Sequence, residues 1–296
     1  MKKTLLTVTI SSLSGLFVLV LPGCSKNNNG TDDDSGNGTT TPTTGCKLIR
    51  QSTGDLYSNS QRYTLEYDAS GNPSSITIPG NLTETIQPTK MVFKETSGSV
   101  NHYISYPGSY LYKQPASAVV GSDNSANIIP LAFTYGANGK IATVKIGEAS
   151  TSGIMDDSKA ITIKITYNDK KDITLITYQS SFDGVYVTMA ATGYDDHLTP
   201  YSGLKNSVFL QFTFNWADYG LDNPRYIFDQ LSTHNILGYT FTYNHGGDNS
   251  TGYTTEETFT YQYNDKGLPA HRDASLGKKG ETPTKKYYDE WEYDCK

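Results

Sequence analysis

Twenty-three tyrosines, five histidines and three cysteines are the side chains of this 296-residue chain best suited to chemistry, and their spacing decides which chemistry. The histidines, His102, His197, His234, His245 and His271, are scattered without the spacing of metal ligands. There is no nucleophile elbow, no His-Glu-x-x-His pair, no Cys-x-x-Cys and no phosphate loop. Asp195 and Asp196 are adjacent, and neighbours on a strand point to opposite faces, so at most one of them serves a given site. Turn capping is the use their context favours. Asp32, Asp33, Asp34 and Gly36 lack the alternating ligands and closing glutamate of a calcium loop, and read as a solvated charge run. No metal and no cofactor is expected. What remains is stacking: Tyr103, Tyr106, Tyr110 and Tyr112 gather around Pro107-Gly108, and exposed aromatic faces stack on sugar rings or partner surfaces. Tyr110 and Tyr112 also have strand spacing, which allows them to be ordinary sheet residues.

The chain's address is written at its start. Lys2 and Lys3 form a short positive head, Leu5 to Leu21 a mostly apolar run broken by Ser11, Ser12 and Ser14, and Leu21-Pro22-Gly23-Cys24 ends it. This is the build of an export signal, too short for a membrane span, with cleavage placing Cys24 first. Residues 21–24 resemble the cleavage motif of bacterial lipoproteins. That resemblance implies a diacylglycerol on the Cys24 sulfur and a further acyl chain on its new amino group. Two or three chains make a durable anchor where one is marginal, so the membrane partner is reached through lipid. The same resemblance implies the outer membrane, because Ser25 stands where such lipoproteins carry an acidic residue when they are retained at the inner membrane; the periplasmic or cell-surface side stays open. Residues 24–45 then form a lipidated, disordered tether without a large apolar side chain, spanning roughly 25 Å as a flexible coil.

With Cys24 lipidated, Cys46 and Cys295 remain at the two ends of residues 46–296 in an oxidising compartment, and they are expected to pair rather than stay as free thiols. Closing so long a loop contributes at most about 5 kcal/mol on the chain-entropy estimate. The formal charge of −6 becomes −8 once Lys2 and Lys3 are removed, and no basic cluster is present to track phosphates. Nucleic acid is excluded as a partner on that ground.

Positioning falls to strands. Ile161, Ile163, Ile165 and Tyr167 alternate with Thr162, Lys164 and Thr166, the two-residue period of a half-buried strand. The same period runs through Tyr63–Tyr67, Val208–Phe214, Tyr239–Tyr243, Phe259–Tyr263 and Trp291–Tyr293. Tyrosines outnumber the 10 phenylalanines, and a tyrosine can pack its ring while its hydroxyl stays wet, which implies partly covered sheet faces. Several strands end in one phrase, an aromatic, any residue, Tyr, then a turn with Asp, Asn or Gly: Leu65–Pro73, Phe133–Ile141 and Tyr261–Pro269, with Ile165–Lys171 lacking the glycine. Asn or Asp bonds its own turn backbone, and glycine supplies positive φ. Pro73 and Pro269 belong at the start of a return strand. Residues 216–231 carry the best helical candidate, a short turn after Pro224 that plugs one end of the sheet through Tyr226, Ile227, Phe228 and Leu231.

These turns, with Tyr194–Tyr201, Leu231–Ile236 and the terminal Tyr293-Asp294-Cys295, resemble the YD-repeat-like lipoproteins of Bacteroidetes type, mostly of unknown function. The resemblance covers residues 46–296 and implies fold rather than chemistry. The expected architecture is one all-β domain, an antiparallel meander of consecutive hairpins in a long, twisted, partly curled sheet, with a closed β-sandwich as the alternative. The leading functional expectation is a lipid-anchored, non-catalytic envelope module that binds a glycan, peptide or protein. A structural or accessory subunit of an outer-membrane assembly comes second. A hydrolase using two carboxylates from separate strands, about 5–10 Å apart in a cleft, comes third.

Overall fold

The computed structural model describes residues 46–55, 61–67, 69, 73–78, 82–87, 90–95, 101–105, 116–123, 125–181, 184–201, 225–245 and 248–295. The signal segment 1–23, the tether 24–45 with Cys24, the tyrosines Tyr106, Tyr110 and Tyr112, and residues 216–224 lie outside the described residues.

The described residues form strands β1 (Cys46–Asp55), β2 (Gln61–Tyr67), β3 (Pro73–Ile78), β4 (Leu82–Gln87), β5 (Lys90–Glu95), β6 (Asn101–Ser105), β7 (Ser117–Ser122) and β8 (Ile129–Tyr135). They continue as β9 (Ile141–Ile146), β10 (Ile161–Tyr167), β11 (Ile173–Ser180) and β12 (Tyr186–Leu198). A helix α1 (Arg225–Leu231) follows, then β13 (His234–His245), β14 (Asp248–Tyr263), β15 (Pro269–Lys278) and β16 (Lys285–Cys295). Each strand pairs antiparallel with the next, which is the expected meander of consecutive hairpins. The curl goes all the way round, because β1 also pairs with β16 and leaves no free edge. A ring rather than the alternative sandwich results. Cys46 and Cys295 are register partners on that closing pair and form the expected disulfide.

The expected alternation sorts the two faces of the wall. On β10, Ile161, Ile163 and Ile165 are buried while Lys164 and Thr166 are exposed. Val144, Ile146, Ile176, Val187 and Met189 continue the interior, each side chain contributing about 1.5–3 kcal/mol by leaving water. Outward stand Gln179, Thr258, Thr260, Gln262, Asp273, Glu290 and Glu292, all exposed. Among the described strand residues the exposed large apolar side chains are Tyr253, Leu237 and Tyr186, at 51%, 41% and 40% exposure.

Connections from even to odd strands all fall on one rim of the ring, and there the repeated phrase takes shape. Asn168 N–H donates to the Asp172 carbonyl at 2.9 Å, and its side-chain oxygen accepts the Asp172 N–H at 2.9 Å. The turn 264–268 repeats this, with Asn264 Oδ1 accepting from Lys266 and Leu268 at 2.9 and 3.0 Å. Gly267 and Gly139 take φ of 72° and 75°, and Lys171 takes 66° where the phrase lacks its glycine. Pro73 and Pro269 open β3 and β15, where no ladder N–H is needed.

The tyrosine hydroxyls do not stay wet as the composition implied. Those of Tyr167, Tyr194, Tyr261 and Tyr293 donate to the carbonyls of Ile141, Ile173, Ile236 and Pro269 at 3.0, 2.6, 2.9 and 2.9 Å. Tyr67 does the same to Leu48. In every case a tyrosine on an even strand ties the preceding odd strand near its start, so the rings pack against the core and their polar tips close the rim. Burial raises the pKa of Tyr67, Tyr167, Tyr194 and Tyr293 above the ordinary value of 10.

Candidate functional site: a charged helix seat inside the ring

Helix α1 stands inside the ring, in the long connection between β12 and β13. Phe228 is fully buried and stacks on Tyr239 at 5.2 Å between centroids, with Ile227 and Leu231 buried beside it. The expected plug helix is therefore present, and three of its four named residues face the core; the Tyr226 side chain lies outside the described residues. Its C-terminal end is tied to the rim. Lys140, on the β8–β9 turn, donates to the Leu231 carbonyl, the favourable placement of a cation at a helix C-terminus. Burial brings the Lys140 ammonium down to about 8, against the opposing pull of Asp172.

The polar face of α1 meets charges from the wall. Arg272 on β15 donates through Nε and Nη2 to Asp289 Oδ2 on β16, at 3.0 and 2.7 Å, and through Nη1 to Asp229 Oδ1 on the helix at 2.8 Å. Its guanidinium lies over the rings of Phe259, Trp291 and Tyr261, 4.7, 5.2 and 5.8 Å from their centroids. Arg225, one turn below Asp229, lies 3.7 Å from Glu257 Oε1 on β14 and 3.6 Å from Asp289 Oδ2. It reaches Thr53 on β1 at 3.4 Å and covers the Tyr287 ring at 4.1 Å. Glu257 in turn accepts from the Tyr239 hydroxyl. All five charged side chains are nearly inaccessible, with Arg272 and Asp289 at 0% exposure.

Electrostatics here are a contest between burial and pairing. Burial raises the pKa of Asp229 and of Glu257, with Arg272 and Arg225 opposing it. Burial also opposes ionisation of Asp289, yet Arg225 and Arg272 outweigh it and hold that carboxyl below its ordinary value. For Arg272 burial opposes the charge, and the two aspartates overcome it, so it stays a cation. Carboxylates from separate elements do converge, as a hydrolase would require. Here they are closed to solvent and bound to guanidiniums, which is the arrangement of an anchor for α1 rather than of an open acid–base pair.

A second polar group surrounds the rim entrance. Asp172 accepts the backbone N–H of Thr233 and of His234, both at 2.9 Å, and its Oδ2 lies 3.0 Å from His234 Nδ1. This fixes the ring of His234 and the turn from α1 into β13. Asp195 accepts from the Tyr263 hydroxyl and from the His197 N–H at 2.9 Å, while His197 stacks on Tyr263 at 3.9 Å. Asp196 points outward and meets Lys170 at 3.5 Å, so the two adjacent aspartates do separate to different surroundings. Among the described residues no hydroxyl or thiol is hydrogen-bonded to His234 or His197, and both dyads act as turn fasteners.

Of the stacking candidates, Tyr103 is described. It is half-buried on β6, and its ring lies across Gly121 of β7, 2.7 Å from where a Cβ would stand. Its face serves the neighbouring strand. Arg225, Asp229, Glu257, Arg272 and Asp289 were not singled out by sequence motifs. One signal was present: Glu257 shares the parity of Phe259 and Tyr261, Arg272 that of Ala274, and Asp289 that of Trp291 and Tyr293. A charge on the core-facing parity of a strand marks an interior partner.

No family model and no curated protein matches the chain. Solved structures do. A porin-like protein from Bacteroides uniformis aligns over 86% of this chain and 99% of its own, at 14% identity and a TM-score of 0.53. A porin-like protein from Bacteroides vulgatus aligns over 83% and 98%, at 10% identity and a TM-score of 0.48. The first of these shares the fold with this chain.

Proposed function

We propose that this is a lipid-anchored protein of the cell envelope, held at the outer membrane through Cys24, whose ring stands in water and works as a non-catalytic binding module for a glycan, peptide or protein. The observation that carries the reading is the sorting of the wall: aliphatic and aromatic side chains inward, threonines, glutamines and carboxylates outward. A lipid-embedded barrel has the reverse order, an apolar outer band and a polar lumen. A helix seated on buried ion pairs further blocks conduction through the ring. Among the described residues no helix is long and apolar enough to cross a membrane, so the anchor carries membrane attachment in this reading. The envelope assignment draws on the Cys24 motif and on the fold shared with the porin-like protein from Bacteroides uniformis.

The test has two arms. Metabolic labelling with an alkyne-tagged palmitate is expected to mark the wild type and leave Cys24→Ser unmarked, and the purified protein is expected to give no conductance steps in a planar bilayer. Label on the serine variant would contradict the anchor, and discrete channel steps would contradict the closed interior. Quenching of the intrinsic tyrosine and tryptophan emission across a panel of envelope glycans and peptides then identifies the ligand class. A flat response to the whole panel would shift the reading to an assembly subunit.

A further inference from the structure

The rim opposite the asparagine turns ends unevenly. On β14 the inward parity of Glu257, Phe259 and Tyr261 continues to Thr255 and Tyr253, and Thr255 stands opposite Lys278, the last residue of β15. The Lys279 N–H still donates to the Thr254 carbonyl at 3.2 Å, and there β15 gives way to its turn. The β13–β14 hairpin therefore rises past β15 and leaves Tyr253 uncovered on that side, at 51% exposure against 4% for Phe259. Its ring stacks on that of Tyr243, opposite it on β13, at 5.4 Å and 20°, and lies 6.1 Å from that of Phe241 at 30°. Three rings form one ladder, open at its outer end.

Lysines stand beside it. Residues 278–286 carry Lys278, Lys279, Lys285 and Lys286 against one carboxylate, Glu281, in a chain of formal charge −6. All five side chains are exposed, and among the described residues none of the four lysines is in an ion pair. The turn splits them into two pairs, which is why no basic run stands out in the sequence. Lys278 is the diagonal neighbour of Tyr253, a spacing that long side chains bridge. Lys285 stands opposite Leu276, two residues before Lys278, so both lysines share the ladder's side of the wall. Cys46 and Cys295 close the ring at the other rim, roughly 35 Å away along the eleven residues of β16. The chain before Cys46 thus enters at one rim, and the ladder opens at the other.

We propose that the Phe241–Tyr253–Tyr243 ladder, with Lys278 and Lys285, is a binding site for an acidic glycan, a chain of sugars bearing carboxylate or sulfate groups. The inference rests on the binding-module reading above and gives it a place and a ligand class. An open tyrosine face packs against the C–H face of a sugar ring, and its hydroxyl bonds the sugar's own hydroxyls. Charge complementarity then selects an acidic sugar over a neutral one, because the lysines one strand away have no carboxylate of their own to meet. A glycan spaces its charges a sugar or more apart, which suits a small basic tip on an otherwise acidic chain. Nucleic acid, with its closer-packed phosphates, meets more repulsion from the rest of the surface.

The experiment is a fluorescence titration of the purified protein with oligogalacturonate and with chondroitin sulfate oligosaccharides. Methyl-esterified oligogalacturonate, oligo-glutamate and oligo-thymidine of matched length serve as controls. Binding of an acidic sugar is expected to quench tyrosine emission and to weaken as salt rises. Esterification, Tyr253→Ala and the double variant Lys278→Gln/Lys285→Gln should each weaken it by about tenfold or more, with circular dichroism unchanged. Should Tyr253→Ala fail to fold, the lysine variant decides. Undiminished affinity in a folded variant, or tighter binding of oligo-glutamate or oligo-thymidine, would overturn the proposal. Silence toward both acidic sugars alongside binding of a neutral glycan or a peptide removes this site and leaves the binding-module reading standing. Silence toward every ligand removes both.

Discussion

The arc from β7 to β11 and the arc from β13 through β16 to β1 belong to one ring and have opposite interiors. The first is filled by Val120, Leu131, Phe133, Val144, Ile146, Ile161, Ile163 and Ile176, apolar contacts without direction. The second turns Glu257, Arg272, Asp289 and Gln51 inward and needs α1 to answer them with Arg225 and Asp229. Non-directional packing tolerates adjustment, whereas a buried charge requires its particular partner. The difference teaches where the fold is specified: the aliphatic arc supplies cohesion, and the charged arc fixes which helix enters and in which orientation.

The largest effect should come from breaking the charged arc at its centre. Arg272→Ala leaves Asp229 and Asp289 buried without their shared cation, and should cost about 3–5 kcal/mol in urea unfolding. Replacing Arg272, Asp229 and Asp289 together by Met, Leu and Leu should cost less than that single change, since no uncompensated charge remains. A triple variant less stable than Arg272→Ala would dissolve the contrast between the arcs. In the aliphatic arc, Ile163→Ala should cost about 3 kcal/mol through lost transfer energy and the cavity left behind.

These predictions also mark what was legible beforehand. The alternation of Ile161, Ile163 and Ile165 with polar residues exposed the aliphatic arc, because apolar periodicity is a direct record of burial. The asparagine-and-glycine turns, the placement of Pro73 and Pro269, the short helix after Pro224 and the Cys46–Cys295 pair were readable for local reasons of the same kind. The charged seat was not. Arg225 and Arg272 are 47 positions apart, Asp289 a further 17, and a lone charge on a strand normally reports solvent. The tyrosine ties were misread for a related cause: composition shows that a hydroxyl exists but not that the neighbouring strand's carbonyl stands within its reach.

The rim gives smaller and more graded effects. Because burial raises the folded-state pKa of Tyr67, Tyr167 and Tyr194 above the unfolded value of 10, their contribution is complete below pH 10. It is lost as pH rises beyond that point, so the urea midpoint should fall steadily in alkaline buffers above pH 10. Tyr167→Phe, which deletes one hydroxyl tie and leaves the Ile141 carbonyl unmet, should cost about 1 kcal/mol and leave less of that alkaline decline. Lys171→Gly should stabilise by about 1 kcal/mol, because residue 171 holds a φ of 66° that glycine adopts without strain. A destabilised Lys171→Gly would mean that the side chain, not the backbone, governs that turn.

The central claim is that the ring's outer face belongs in water and that its filled interior, not lipid, holds it together. Its most direct test is the distribution of Cys24→Ser after cell breakage and carbonate extraction. The account predicts that the unlipidated protein leaves the membrane fraction as a folded, detergent-free species; retention in the carbonate-washed membranes as an integral barrel would contradict it.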